Sequence, residues 1–296
     1  MNQTDTTPAS VATTDRRSLL SLGAAASAVM AAGAIATGAV VTSSPAEAQT
    51  VTDTDILNFA LNLEYLEGEY YSRGFLGVGL NASDRDGVGG SGFVLGGSQV
   101  PFRTPAIYGA VQRIVIDEVD HIRFLRNTLG AAAVGAPNID LLNSFNALAV
   151  AAGLIPAGTQ FNPFADEISF MLGAFILTDV GVTAYAGSAQ LLTSASNKDA
   201  AAGLLATEAY HAGAIRFILD LYNQQIAGNA ISTVRARLSN GKDSGLSTAT
   251  VPFNIANVDS NGLTFRRTSA EVLNVVYNGV STGGGFLPNR ANGTIR

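Results

Sequence analysis

Both histidines of the chain, His121 and His211, lie three residues after a glutamate, Glu118 and Glu208. On an α-helix, residues i and i+3 share a face, so each pair directs a carboxylate and an imidazole toward one point. Carboxylates and imidazoles are common ligands of transition metals. Two such helices that face each other could hold a pair of metal ions. These spacings therefore predict metal binding inside a helical bundle.

Four segments show the apolar periodicity of long helices, which must position these side chains. They are predicted at 54–76, 105–129, 166–192 and 199–223. Asp53 or Asp55 is the expected N-cap of the first, and Gly130 the expected stop of the second. Lengths of roughly 20 or more residues are typical of four-helix bundles. We expect an all-α fold.

The chain repeats itself, which indicates two helical hairpins. The second and fourth helices repeat at an offset of 90 residues, the distance from Glu118 to Glu208. The first and third repeat less fully, since Tyr185 lies seven residues after Thr178 much as Tyr71 lies seven after Glu64. We expect Arg126 and Arg216, which occupy equivalent positions, to pair with carboxylates at the bundle end.

The segments outside the long helices are rich in glycine and small polar residues. The insertion at 77–100 is rich in glycine and lacks periodicity, and its run at 87–92 is predicted to be a flexible loop by composition. The long crossover between hairpins, 130–165, is expected to hold a short helix near 139–152. After the bundle we expect mostly loop over 226–266, a short helix at 269–277 and a glycine-rich tail. The predicted organisation is an export signal at 1–48, a bundle at 49–225 and a loop-rich C-terminal extension at 226–296.

The N-terminus has the pattern of an export signal. Arg16 and Arg17 precede a weakly apolar stretch, and Ala46-Glu47-Ala48 supplies a small-x-small cleavage site. The arginine pair resembles a bacterial twin-arginine signal, a pathway that carries folded and often cofactor-loaded proteins. We therefore expect a periplasmic or extracellular protein. An ordinary secretory signal or an uncleaved anchor at 19–41 is the alternative.

Composition excludes several classes of function. With no cysteine, the chain cannot form disulfides, iron–sulfur clusters or thiolate zinc sites. A net charge of −6 without a basic stripe argues against nucleic acid as a partner. Beyond residue 41 we expect no apolar run that crosses a membrane, and hence no membrane contact after cleavage. Metal ions are the expected partners, and the sequence is compatible with a homo-oligomer.

Three runs of sequence carry a resemblance to a known family. They are LNFALNLEYLE at 57–67, DVGVTAY at 179–185 and GGFLPN at 284–289. With the helix layout, they resemble the ferritin-like superfamily, which includes bacterioferritin, rubrerythrin and manganese catalase. The resemblance is closest to exported bacterial ferritin-like proteins related to plant desiccation-related proteins. It covers about 53–220 well and the tail loosely, and it implies a ferritin-like four-helix bundle.

The resemblance also implies a six-ligand site for two metals. Five of its positions fall on Glu64, Glu118, His121, Glu208 and His211. The sixth falls on Thr178, and threonine cannot bridge two cations as a carboxylate does. Asp179 is next in sequence but about 100° around the helix, so it should point elsewhere.

Glu67 offers a substitute carboxylate because it lies one turn beyond Glu64 on nearly the same face. Four glutamates would then balance two divalent cations with neutral histidines. If only one metal binds, Glu67 is expected around the site or exposed. Tyr71 and Tyr185 are expected to be core tyrosines that hydrogen-bond to the site or the backbone.

Two functions follow as hypotheses. The first is an exported protein that binds one or two iron or manganese ions and oxidises metal or removes peroxide. The second is a non-catalytic stress- or desiccation-related scaffold that keeps the bundle with a weakened or lost metal site. Thr178 is the residue that favours the second.

Overall fold

The protein is described by a computed structural model over residues 51–296, so the predicted export signal lies outside the described residues. In chain order the helices are α1 (Asp53–Leu76), α2 (Ala82–Arg85), α3 (Pro105–Leu129), α4 (Asn143–Ala151), α5 (Glu167–Ser188), α6 (Ala195–Leu221), α7 (Gln225–Leu238) and α8 (Ser269–Val276). The strands are β1 (Val94–Leu95) and β2 (Ile139–Asp140). α1 packs against α3 and α5 against α6, while contacts between α1 and α5 join the two hairpins. The predicted all-α four-helix bundle is confirmed.

The ends of the bundle helices follow local capping chemistry. Thr52, not Asp53 or Asp55, is the N-cap of α1, and it forms a capping box with Asp55. Asp53 instead accepts hydrogen bonds from the backbone of Thr193 and Ser194. Ser194 caps α6, which therefore begins at Ala195, four residues before the predicted start. The start of α1 is thus tied to the start of α6.

α5 is the central helix of the bundle. Glu167–Leu191, which is α5 and the turn after it, is long and apolar enough to cross a membrane by composition. The expectation that no such run exists is therefore wrong. However, 89% of the apolar window is buried inside the protein. A helix that is apolar on all sides is typical of a buried core position, and this placement accounts for its composition.

The insertion after α1 makes hydrogen bonds to the crossover, and the run at 87–92 that is predicted to be a flexible loop takes part in them through Val88 and Gly92. β1 pairs in parallel with β2, with Val94 opposite Ile139. The buried Glu69 carboxylate forms ion pairs with Arg73 at 2.8 Å and with Arg85 at 2.9 Å. The Arg85 contact joins the start of the insertion to α1, and the β1–β2 pair joins its later part to the crossover. Composition did not indicate them because each partner lies outside the insertion's own glycine-rich run.

The C-terminal extension contains a second helix, and the prediction of mostly loop over 226–266 is wrong for α7. Its sequence has weak helix propensity, with glycine, asparagine, serine and threonine among the first nine residues. Burial of Ile231, Val234 and Arg235 stabilises it instead. The predicted short helix α8 is confirmed at Ser269–Val276.

A buried ionic cluster joins the bundle to the extension. Asp179 on α5 forms ion pairs with Arg216 at 2.8 Å and with Arg235 at 2.7 Å. Asp243 forms an ion pair with Arg267 at 2.6 Å. All five side chains are essentially inaccessible to solvent. Burial alone would raise the pKa of Asp179, but the two arginines outweigh it and lower the pKa. As expected, Asp179 points away from the metal-ligand candidates.

The two repeat-related arginines differ in their partners. Arg216 pairs with a carboxylate, as expected. Arg126 does not: it donates to the Tyr65 hydroxyl at 2.6 Å and to the backbone carbonyl of Ser83 at 3.1 Å. Its partners belong to α1 and to the insertion, an element that the second hairpin lacks.

We predict that Asp179→Ala lowers the free energy of unfolding by about 3–5 kcal/mol, because it leaves two buried guanidinium groups without their shared counter-ion. Urea denaturation followed by circular dichroism measures the change. Asp120→Ala is the control, since Asp120 lies on α3 with a 64% exposed side chain. We expect almost no change there. Equal stability of the two variants would contradict a structural role for the cluster.

Candidate metal centre

Six predicted ligand residues meet in the interior of the bundle. α1 supplies two of them, α3 two and α6 two: Glu64, Glu67, Glu118, His121, Glu208 and His211. All are buried, and the most exposed, His121, is only 8% accessible. Because each bundle helix turns the same face inward every three to four residues, the Glu-x-x-His spacing places both side chains in the core.

His121 faces a ring of carboxylates. Its Nδ1 lies 3.3 Å from Glu64 Oε2, 3.4 Å from Glu208 Oε1 and 3.7 Å from Glu118 Oε2. One ligand atom from each of these four residues lies within 4.8 Å of the others. Three carboxylates and one imidazole at these separations could all contact a single cation.

His211 approaches the same centre from the other side. Its Nδ1 lies 3.1 Å from Glu118 Oε1, and its ring centroid is 6.1 Å from that of His121. Glu118 therefore turns one oxygen toward each histidine, which is the arrangement of a bridging carboxylate. Glu118 thus lies between the two histidines and contacts both.

Asp117 holds the outer face of His211, and sequence reasoning missed it. Its Oδ2 lies 3.1 Å from His211 Nε2. A carboxylate on the outer nitrogen of a histidine fixes the ring orientation and turns the other nitrogen toward a metal. The available signal was its position directly before Glu118 and one helical turn before His121.

Thr178 is not placed as a ligand; it positions Glu67. Its hydroxyl donates to Glu67 Oε2 at 2.7 Å and lies 2.7 Å from the Tyr71 hydroxyl. Gly181, one turn further along α5, leaves space for the same carboxylate. A Cβ there would lie 2.7 Å from Glu67 Oε1 and 3.3 Å from Glu208 Oε2. Sequence reasoning missed Gly181 because its value depends on a side chain from another helix.

The two tyrosines hydrogen-bond to the site, as expected. The Tyr185 hydroxyl donates to Glu64 Oε1. Tyr71 reaches Glu67 through Thr178. Each of the two glutamates on α1 thus has one oxygen held by a hydroxyl on α5. The other oxygen of Glu64 is left facing His121.

Seven buried atoms in the centre make no hydrogen bond of good geometry, and their contacts with one another are the histidine–carboxylate ion pairs at 3.1–3.7 Å. The seven atoms are Glu64 Oε2, both carboxylate oxygens of Glu118 and of Glu208, and the Nδ1 atoms of His121 and His211. Buried polar atoms in native proteins are nearly always paired, since leaving one unpaired costs about 1–3 kcal/mol. All seven are electron-pair donors on residue types that bind iron, manganese or zinc. The chemistry of this set fits a metal ion.

The pKa values of the carboxyl groups diverge. Burial raises the pKa of Glu64 to about 8 from its usual 4.5, and burial likewise raises the pKa of Glu67 and of Glu208. Burial would also raise the pKa of Glu118, but contacts with both histidines outweigh it and lower the pKa to about 2. Burial opposes the charged form of the histidines, yet contacts with the carboxylates raise the pKa of both. Without metal, protons must compensate the negative charge.

We predict that the metal-free protein becomes more stable as the pH falls from about 8 to about 5.5. Glu64, with a folded pKa of about 8, holds a proton that the unfolded chain has lost above 4.5, so the folded state binds more protons. This contribution is complete below 4.5 and disappears as the pH rises through 8. Urea unfolding in the presence of a chelator measures it.

Glu64→Gln should flatten this pH dependence, because the amide cannot titrate. The raised pKa values of Glu67 and of the histidines act in the same direction, so a smaller slope of the same sign should remain. The lowered pKa of Glu118 opposes it only below 4.5. A metal-free protein whose stability rises with pH over this window would contradict the charge assignment.

Comparison with known proteins identifies the family. Residues 52–221 match the family model of the ferritin-like domain, and the chain belongs to that family. It is similar to the ferritin-like catalase Nec2 of Nesocodon mauritianus, at 31% identity over 186 residues that cover 62% of this chain and 57% of that protein. It is also similar to the desiccation-related protein PCC13-62 of Craterostigma plantagineum, at 28% identity over 208 residues, 66% of each chain. This chain thus spans less than two thirds of either relative's length.

Proposed function

We propose that this protein is an exported ferritin-like metalloprotein that binds two iron or manganese ions and removes hydrogen peroxide. The observation that carries the proposal is the convergence of buried carboxylate oxygens and imidazole nitrogens, seven of which make no hydrogen bond of good geometry. Two divalent cations would neutralise the four glutamates that surround them. Compensation by cations explains why four carboxylates are kept in a bundle core, where each ionised group otherwise costs several kcal/mol.

Glu64, Glu118, His121 and Glu208 would hold one ion. His211, beside the other oxygen of Glu118, and Glu67, beside Glu208, would supply further ligands for a second. Iron or manganese would supply the reversible electron transfer by which two molecules of hydrogen peroxide give one of dioxygen and two of water. The protein's part is to fix these donors and to exclude bulk water.

The residues around the donors prepare them for metal. Tyr185 and Thr178 each donate a hydroxyl hydrogen to one oxygen of a glutamate on α1, so the second oxygen is free. Asp117 orients His211 from outside. These hydrogen bonds restrict the rotation of the ligands, and such outer contacts typically change metal affinity by about 10–100-fold.

Two further observations support the proposal. A relative with 31% identity is named a ferritin-like catalase, and the region of similarity is 186 residues long. The arginine pair and the Ala-x-Ala site at the N-terminus support export. A compartment outside the cytoplasm would place the centre where external peroxide is first met.

We predict that Glu118→Ala lowers bound iron plus manganese from about two ions per chain to well under one, because it removes an oxygen from both positions. His211→Ala should lower it to about one. Both should lose the rise in melting temperature that metal gives to the parent protein. Elemental analysis and calorimetry of protein purified from its export compartment measure this. Asp120→Ala, one residue from His121 but facing solvent, is the matched control and should keep its metal.

We predict that the metal-loaded protein evolves dioxygen from hydrogen peroxide and that Glu118→Ala lowers this rate by about 100-fold or more. An oxygen electrode measures the release, with Asp120→Ala expected at the parent rate. Metal without peroxide-dependent dioxygen would overturn the catalytic part of the proposal.

A non-catalytic scaffold is the second candidate, and Thr178 in place of a carboxylate favours it. The name of the desiccation-related relative also agrees with the scaffold hypothesis. Less than about 0.2 iron plus manganese per chain, unchanged by aerobic reconstitution, would support the scaffold and overturn metal binding.

A further inference from the structure

An apolar cavity adjoins the metal-ligand candidates on the side of the C-terminal extension. It measures about 20 Å³ as the space open to the centre of a water-sized molecule. α1, α5, α8 and the tail enclose it, with walls that include Leu66, Glu67, Val180, Gly181, Val276 and Phe286. Every one of these residues is buried. A space of this size holds one small molecule, since roughly 10–15 Å³ on this measure is enough for a water.

The lining favours an apolar occupant. Glu67 is the only residue of the lining with a polar side chain, and one of its oxygens already accepts from Thr178. A buried water needs two to four polar partners, and apolar cavities of this kind stay dry and bind apolar gases. Hydrogen peroxide has the same hydrogen-bonding demand as water. Dioxygen has none and is small enough.

The cavity ends at the carboxylate that completes the donor set. Gly181 borders the cavity, and a Cβ on it would meet Glu67 Oε1 at 2.7 Å and Glu208 Oε2 at 3.3 Å. The absence of a side chain at Gly181 is therefore what brings the apolar space next to the carboxylates. The opposite wall consists of Val275, Val276 and Phe286 from the extension. The extension thus closes the side of the cavity that the bundle helices leave open.

We propose that this cavity is a dioxygen site beside the metal centre, closed by the C-terminal extension. The gas is either released by peroxide disproportionation at the centre or taken from solution as an oxidant. The choice of source rests on the proposed function, whereas the existence of the gas site does not. A second apolar cavity beside Tyr185 measures only about 10 Å³, at the lower limit for one water, and is not expected to bind gas.

Xenon tests the site because it occupies apolar cavities without needing hydrogen bonds. We expect crystals of the metal-free protein under xenon pressure to show one atom bordered by Leu66, Val276 and Phe286. Val276→Ile adds a methyl group from the extension side and should lower the occupancy at least tenfold. Val272→Ile is the matched control, since Val272 lies buried on the same helix but does not border the cavity. Val275→Ile replaces Val276→Ile if that variant fails to fold.

The outcomes separate the gas site from the proposed function. An ordered water in the cavity, no xenon in the parent, or equal xenon in Val276→Ile would overturn the proposal. Xenon in the cavity of a protein that takes up no metal would leave the gas site standing and the proposed function wrong.

Metal-loaded protein then identifies the source of the gas. Slower dioxygen release from peroxide in Val276→Ile, with metal content unchanged, assigns it to the centre. A raised KM for dissolved dioxygen during oxidation of added Fe(II) assigns it to solution. Parent values in both measurements would overturn the link between the cavity and the centre.

Discussion

The structure depends on the burial of four carboxylates at one place in a helical bundle. Glu64, Glu67, Glu118 and Glu208 cannot all be ionised there without compensating charge, since an unpaired buried ion costs several kcal/mol. Protons and cations are the two available compensations. Compensation by protons is what the opposed pKa directions describe: raised pKa values favour protonated Glu64, Glu67 and Glu208, while Glu118 stays ionised between two charged histidines. Metal cations are the alternative, and they would be bound by the same carboxylate oxygens and imidazole nitrogens.

A second buried ionic cluster shows what full internal compensation looks like. Asp179 and Asp243 are paired at 2.6–3.0 Å with arginines from α6, α7 and the segment before α8. Adjacent residues of α5 therefore have opposite tasks, because Thr178 faces the metal-ligand candidates and Asp179 faces the extension. The guanidinium groups of Arg216 and Arg235 hold Asp179 and so fix the position of α5. The adjacent residue of α5 is Thr178, whose hydroxyl donates to Glu67. The extension stabilises the site without contributing a ligand to it.

The sequence predicts the bundle helices well where residues within the helix or next to it mark its ends. Pro105 and Gly130 mark both ends of α3, and the prediction matches it at 105–129. The prediction from sequence fails where contacts with distant parts of the chain determine the local structure. Burial of Arg235 against Asp179 stabilises α7, and the insertion is ordered by Glu69 on α1. The two Glu-x-x-His pairs followed from helical spacing, and Glu64 from the family resemblance. Asp117 and Gly181 act on side chains of other helices, which a single-sequence pattern does not show.

Thr178 is the residue at which sequence and structure give different answers. Taken alone, it removes a carboxylate from the third bundle helix and points to a degenerate site. In the structure its hydroxyl holds Glu67, and Gly181 leaves the space that Glu67 occupies, so the fourth carboxylate comes from α1 instead. The charge at the centre depends on how many carboxylates reach it and not on which helix carries them. A missing acid in the family position is therefore weak grounds for a lost metal site when a neighbouring helix presents another acid to the same space.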